Sequence, residues 1–422
     1  MHSLAILGPL LSRMLPTFLT TLHAIGTISV MALCGVYLHR LGSLPPAGKR
    51  ALALASSQLT VPALLFTKIL YCSQDWSDEP CPDVTATLGY TWPMLFLPVY
   101  VVSVGLLVGH AAAALTSTPR ESRRYAAASV AFGNSTSLPI TLLQAIHSSF
   151  SGSSELGAVD PALFLSVYLI IYPLLQWGVG GWLLGPTAET HALSPAPGRL
   201  PRLSESSPLI LAPAAPGPVS WPGAALEVAR RALQPPVVAS LLGLSVAACG
   251  LRGYLVDVAD RDGDAPLQFA FDALYQVGRA AVPINQMLLG ANLSIAARAR
   301  RDPKLASSPV FPARTMAGIV AAKLVVLPLI GILSTLALQK YVLVGEREIP
   351  HDIDASFYLV AMLVFATPTA NNVSVMVELG GGEAAAQAFA ASILVQYLSA
   401  PFLMSVSVSA IVFVAQSFNH DR

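Results

Sequence analysis

Charge is what this chain has least of. Lys and Arg number 24 and Asp and Glu 23, so 11% of the 422 residues are charged, against about 25% in an ordinary soluble domain. With 54% apolar residues and a mean hydropathy of +0.63, the chain has more apolar surface than a water-soluble fold can hide. A net charge of +1 gives neither nucleic acid nor an acidic partner a field to follow. Cysteine is scarce as well: Cys34, Cys72, Cys81 and Cys249 show no CxxC or other metal spacing, so neither a metal nor a cofactor is expected. HExxH, Walker A and GxSxG motifs are absent, and nothing in the residues argues for an enzyme. The first eleven residues are apolar but lack a basic n-region and a cleavage site, so no signal peptide is expected.

What the chain does have is long apolar runs. A transmembrane helix needs roughly 20 mainly apolar residues, and ten segments qualify: about 15–38, 51–71, 87–113, 126–147, 161–185, 234–256, 267–296, 313–339, 355–378 and 384–416. Between the fifth and sixth lies a stretch rich in Pro, Ser and Ala, which reads as an extended linker. The loops after spans 1, 3, 5 and 7 carry fifteen Lys and Arg, among them Arg123, Arg124 and Arg298, whereas those after spans 2, 4, 6 and 8 carry four and are acidic. Basic residues accumulate on the cytoplasmic side. The alternation therefore predicts a cytoplasmic linker and both termini on the lumenal or extracellular side.

Five spans on each side of the linker is an odd number, so the second half must enter the membrane inverted. The expected fold is an all-α polytopic membrane protein of ten helices in two inverted five-helix repeats, 1–185 and 230–422, joined by the cytoplasmic linker 186–229. The halves echo each other. Span 2 holds Thr60-Val61-Pro62 and span 7 Ala281-Val282-Pro283. Span 4 is interrupted at Gly133-Asn134-Ser135-Thr136-Ser137-Leu138-Pro139 and span 9 at Thr367-Pro368-Thr369-Ala370-Asn371-Asn372. Proline has no N–H, and its ring clashes with the carbonyl four residues back. Paired breaks of this kind are the best sequence pointer to a transporter's binding site.

In lipid, freed backbone groups are tolerable only where protein or a wet cavity meets them. Pro139 and Pro368 would each suit the first turn of a new half-helix, with Ser137 or Thr367 at the cap position. Half-helix N-termini carry free N–H groups and a partial positive charge, which favour an anion. Asn134, Ser135, Asn371 and Asn372 add neutral hydrogen-bonding groups, so two crossing breaks would make a carboxylate site; the plainer reading is a pair of proline kinks. Lys68 stands near the outer end of span 2 and can snorkel to the interface. Arg279 and Lys323 lie deeper, as partners either for a substrate anion or for backbone carbonyls at a break. Glu378, beside Gly380-Gly381-Gly382, reads as the solvated end of span 9, and His23, His110 and His147 as structural. The N-x-S/T matches at Asn134, Asn292 and Asn372 fall within or at the ends of spans, where glycosylation is not expected. Cys72 and Cys81 lie at or just beyond the outer end of span 2; a disulfide and two free thiols are both open readings.

The chain resembles the auxin efflux carrier family, and within it the short-loop PIN-LIKES branch. The resemblance rests on the 133–139 break, on Pro235-Pro236-Val237-Val238-Ala239-Ser240, on Ala281-Val282-Pro283 with Gly290-Ala291-Asn292-Leu293-Ser294, on Lys323-Leu324-Val325-Val326-Leu327-Pro328, and on 367–372. It implies ten helices, a scaffold of spans 1, 2, 6 and 7, and a transport unit of spans 3–5 and 8–10 with spans 4 and 9 crossed. It also implies movement of small organic anions such as auxin-like carboxylates across the lipid bilayer, commonly by homodimers. Asn134, Pro139, Pro368 and Asn372 match the family's site positions. The short linker favours the endoplasmic reticulum membrane over the plasma membrane. Lys323 departs from the family's Arg, and Gly-Asn-Ser-Thr-Ser from its Gly-Asn-Thr-Gly-Asn. The leading expectation is non-ATP transport by alternating access. An ion-coupled symporter and a non-transporting sensor or scaffold are the alternatives.

Overall fold

The computed structural model describes residues 2–71, 89–150, 160–184, 235–257, 264–301, 311–343 and 351–420. The linker 186–229 and both Cys72 and Cys81 lie outside the described residues. Where side chains are apolar, the backbone is the main polar load, and a helix satisfies it within one segment. The described residues form helices and no strand. They are α1 (His2–Arg40), α2 (Pro46–Ala55), α3 (Val61–Leu70), α4 (Pro93–Leu115), α5 (Arg123–Ala131), α6 (Ser137–Phe150), α7 (Ala162–Leu184) and α8 (Pro235–Ala248). After these come α9 (Arg252–Leu255), α10 (Gln268–Arg279), α11 (Ala281–Arg301), α12 (Ala313–Ala321), α13 (Leu327–Tyr341), α14 (His351–Leu363) and α15 (Asn371–His420).

Among the described residues, five helical stretches are long and apolar enough to cross a bilayer: Ala47–Leu70, Pro93–Leu115, Ala162–Leu184, Ala313–Tyr341 and Phe389–Phe418. Large apolar side chains such as Leu107, Leu115, Trp182, Leu398 and Phe402 stand exposed on their outer faces. In water such a surface would aggregate; against hydrocarbon it is the expected exterior. The protein is thus an integral membrane protein, helical and without strands among the described residues.

Two of the long stretches contain a single wide turn. α2 passes into α3 through the π turn Ser56–Thr60, and α12 into α13 through Ala322–Val326. In both, a proline follows two residues on, Pro62 and Pro328. Each leaves the carbonyl four residues back without its N–H, and a wider turn relieves the ring clash. At the second, Ser407 of α15 donates its hydroxyl to the Leu324 carbonyl at 3.0 Å, so a neighbouring helix supplies the donor that Pro328 cannot. Elsewhere α1 and α11 touch backbone to backbone. A Cβ on Gly35 would lie 1.9 Å from the Met287 carbonyl oxygen, and one on Gly290 1.7 Å from that of Ala32. Only glycine permits this approach, as at close crossings in other membrane helices.

Several helix boundaries differ from the sequence expectation; span 6, for one, is divided after Ala248 into α8 and α9. α1 starts at His2 rather than near residue 15. Span 7 is divided at Ala280 into α10 and α11, ahead of Pro283. The expected end of span 9 at Glu378 is absent: α15 runs from Asn371 through Gly380-Gly381-Gly382 to His420. Glycine weakens a helix by about 1 kcal/mol relative to alanine but keeps its N–H, whereas proline removes it. Three glycines followed by Glu383-Ala384-Ala385-Ala386 do not end this helix.

The buried centre surrounds two interruptions. Every residue from 354 to 370 is buried, as is every residue from 126 to 133. The first run takes in most of α14 and the segment after it; the second takes in most of α5 and the start of the segment before α6.

Candidate functional site

Between α5 and α6 the chain is non-helical over 132–136, and between α14 and α15 over 364–370. The two segments run antiparallel and meet. Asn134 N–H donates to the Pro368 carbonyl at 2.7 Å, and Ala370 N–H to the Phe132 carbonyl at 3.0 Å. Gly133 faces Thr369 between these two bonds. Residues flanked this way form the close, non-hydrogen-bonded kind of antiparallel pair. A Cβ on Gly133 would lie 2.6 Å from Thr367 Oγ1 and 3.0 Å from Lys323 Nζ, so the crossing is too tight for a side chain there.

Ending α5 at Ala131 frees its last carbonyls, and the surrounding elements satisfy them one by one. The Ala128 carbonyl accepts from Phe132 N–H at 3.0 Å. That of Ser129 accepts from the Thr369 hydroxyl. That of Val130 accepts from Lys323 Nζ at 2.7 Å. Beyond the helix, the Gly133 carbonyl accepts from the Tyr172 hydroxyl of α7 at 2.7 Å. Across the crossing, Thr369 N–H donates to Gln396 Oε1 at 3.0 Å, and Gln396 Nε2 donates back to the Thr369 hydroxyl at 2.8 Å. The second break therefore hangs on a glutamine of α15, and the first on α7, the π turn and the second break.

The structure places the sequence-nominated residues unevenly. Asn134 is in the crossing, half-buried, with its amide donating to the Tyr397 hydroxyl at 3.1 Å. Ser135 is buried beside it. Pro139 occupies the first turn of α6, where a missing N–H costs nothing. Pro368 does not begin a half-helix: it lies in the extended segment, three residues before α15, and Thr367 is no cap. The reason is the pairing itself, which holds 368–370 extended against 132–134. Asn371 and Asn372 open α15, so their backbone N–H groups sit at a helix N-terminus; their side chains lie outside the described part. Lys323 reaches the crossing from the π turn. Arg279 does not, since it ends α10 with an exposed side chain and α10 packs on α3.

Lys68 is not free to snorkel. It makes a 2.6 Å ion pair with Asp160, in the turn before α7, and lies over the Tyr71 ring. Burial alone raises the Asp160 carboxyl, but the Lys68 ammonium, His147 and the hydrogen bonds from Lys68 and Ala162 N–H outweigh it. The carboxyl is held below its usual range.

Sequence reasoning missed Gln396, Tyr172, Tyr397 and Gln286. Gln286 of α11 is fully buried, donates to Thr141 of α6 at 3.4 Å, and leaves its Oε1 without a partner. The available signal was an amide or hydroxyl inside an apolar run, which is as informative there as a charge.

Apolar helices with two interruptions deep in the protein, paired backbone to backbone, define an integral membrane protein of the transporter kind. The chain belongs to the membrane transport protein family, that of the auxin efflux carriers, which it matches over residues 20–408. It is also similar to Protein PIN-LIKES 2 of Arabidopsis thaliana, with 31% identity over 153 residues. That match covers 36% of this chain and 29% of the relative, so the chain spans less than a third of the relative's length. Membership places it among membrane transport proteins rather than enzymes.

Proposed function

We propose that this chain carries small organic anions, auxin-like carboxylates in class, across a membrane by alternating access around the crossing. The observation that supports this most is where the new half-helices begin. α6 opens at Ser137, three residues after Asn134, and α15 opens at Asn371, one residue after Ala370. Two positive helix ends thus flank one short backbone pair in a buried setting, and a carboxylate is the ligand such ends favour. Asn134, Ser135, Asn371 and Asn372 are the residues nearest those ends, with Pro139 and Pro368 shaping them. No ATPase motif is present in the sequence; a membrane potential contributes about 2.3 kcal/mol per charge per 100 mV, enough to expel an anion from a negative compartment.

With this reading go ten spans in two inverted repeats, a cytoplasmic linker, both termini on the other side, a homodimer, and residence in the endoplasmic reticulum membrane. The alternation of loop charge supports the topology, and a protease-accessible tag near Ser204 on the cytoplasmic side tests it.

The function is tested by uptake of labelled indole-3-acetate, with an aliphatic carboxylate beside it, into proteoliposomes of the purified chain. Flux that follows an imposed potential is expected. Asn134→Ala should weaken ligand affinity about tenfold or more, the loss of a hydrogen bond to a charged group. Wild-type affinity in that variant removes the site from the crossing. Binding without flux makes the protein a sensor.

A further inference from the structure

On the outer surface, α12 and the π turn after it face α15 across an open groove of about 620 Å³. One wall carries Ala313, Ala317 and Val325, the other Val395, Ser399 and Leu403. Apart from Ser399 the lining side chains are apolar, and the Ser399 hydroxyl is already spent on the Val395 carbonyl at 2.9 Å. Alanine every fourth residue, at 313, 317 and 321, keeps the first wall low. Leu398 and Phe402 stand exposed beside the second wall, so the groove opens toward hydrocarbon. From Ala313 to Val325 the first wall rises about 18 Å along the helix axis. That is close to the depth of one leaflet, about 15 Å or half the hydrocarbon core.

Charge stands at one end of the groove. Arg314 follows Ala313 and shares an exposed face with Ala317 and Ala321, at i, i+3 and i+7. Its guanidinium lies 3.5 Å from the Ser117 carbonyl, and that of Arg123 donates to the Thr118 carbonyl at 3.1 Å. The hydroxyls of Thr118 and Thr315 bond at 3.0 Å, which fixes the turn ahead of α5 against the start of α12. Both arginines are exposed, and among the described residues neither has a carboxylate partner. Each keeps further N–H donors beyond the one turned to a carbonyl.

We propose that this groove binds an anionic phospholipid from the leaflet on the basic-loop side. One acyl chain lies between α12 and α15, and the phosphate sits on Arg314 and Arg123. A guanidinium matches phosphate through its fork of donors, and arginine at a membrane surface attracts anionic lipid. The chain is the occupant because the groove lies in a surface already turned to hydrocarbon and reaches one leaflet deep. A neutral lipid would fill it but leave the arginines unused. Val325 belongs to the π turn Ala322–Val326, which also reaches the crossing, so the lipid seat and the crossing share one element. The site needs only a chain embedded in a bilayer and stands whatever the protein transports.

The test uses the purified full chain in neutral detergent as wild type, Arg314→Gln and Ala317→Trp. Thermal unfolding is followed against dioleoyl phosphatidylglycerol, dioleoyl phosphatidylcholine and inorganic phosphate. Phosphatidylglycerol should raise the wild-type midpoint saturably by about 2–4 °C, with phosphatidylcholine and phosphate giving no such rise. Arg314→Gln should need about fivefold more phosphatidylglycerol for half the effect. Ala317→Trp fills the groove, so it should fold and no longer respond. A measurement on the wild type alone stands beside these: phosphatidylglycerol with a diazirine on its acyl chain should label α12 and the Val395–Leu403 stretch of α15, and unlabelled phosphatidylglycerol, not phosphatidylcholine, should compete. Equal effects of the two lipids on the wild type, a rise with phosphate alone, or labelling elsewhere overturns the proposal. So does a wild-type response in both variants. A changed oligomeric state in Ala317→Trp makes the groove a subunit contact and overturns it as well.

Discussion

Lys68 and Lys323 sit in similar settings and are neutralised differently. Each belongs to a long apolar stretch with one π turn and a proline two residues beyond it. Lys68 meets a carboxylate, Asp160, and both side chains keep some exposure, 12% and 19%. Lys323 is wholly buried and meets a backbone carbonyl at a helix end. A side-chain partner can be changed together with its lysine, so the pair can be replaced as a pair. A carbonyl belongs to every residue type and cannot be substituted away. The first lysine is therefore exchangeable in principle, whereas the second is bound to the backbone geometry that created its site.

The largest effect should come from breaking one partner at each place. Lys68→Met strands the Asp160 carboxylate and should cost about 3 kcal/mol, the low end for a buried pair because some exposure remains. Lys323→Met leaves the Val130 carbonyl unmet and should cost about 1–3 kcal/mol. Adding Asp160→Asn to Lys68→Met should recover most of the first loss, as read by thermal unfolding in detergent. If it recovers nothing, Lys68 acts through packing and the comparison fails.

A smaller effect sharpens the point about carbonyls. Tyr172→Phe removes the hydroxyl that meets the Gly133 carbonyl and should cost about 1 kcal/mol in the same assay. A loss much below that would mean water replaces the donor and the crossing is wetter than its burial indicates.

The smallest effect is that of acid. Because the Asp160 carboxyl is lowered in the folded protein, its contribution is complete above the ordinary carboxylate range, about pH 4, and is lost as the pH falls through its own lower value. The stability difference between wild type and Lys68→Met should therefore shrink below about pH 4, while that between wild type and Tyr172→Phe should not. A constant difference down to low pH would show that the pair is not what Lys68→Met removes.

Both interruptions were legible because proline and a cluster of Gly, Asn, Ser and Thr act on their own backbone, within four residues. The apolar runs were legible for a similar reason, since length and composition alone decide whether a helix can span hydrocarbon. The same logic failed at Gly380-Gly381-Gly382, where glycine weakens a helix without removing a hydrogen bond, and α15 continues. It failed again at Pro368, which is held extended by a segment more than 230 residues away in the chain. The sequence by itself determined that two helices must open in the membrane and free their backbone groups, because that is covalent and local. Which donor meets which carbonyl was decided only by tertiary structure. Lys323 to Val130, Tyr172 to Gly133 and Thr369 to Ser129 join residues that no local pattern relates. A buried carbonyl must be met by some donor, and only packing determines which one is within reach.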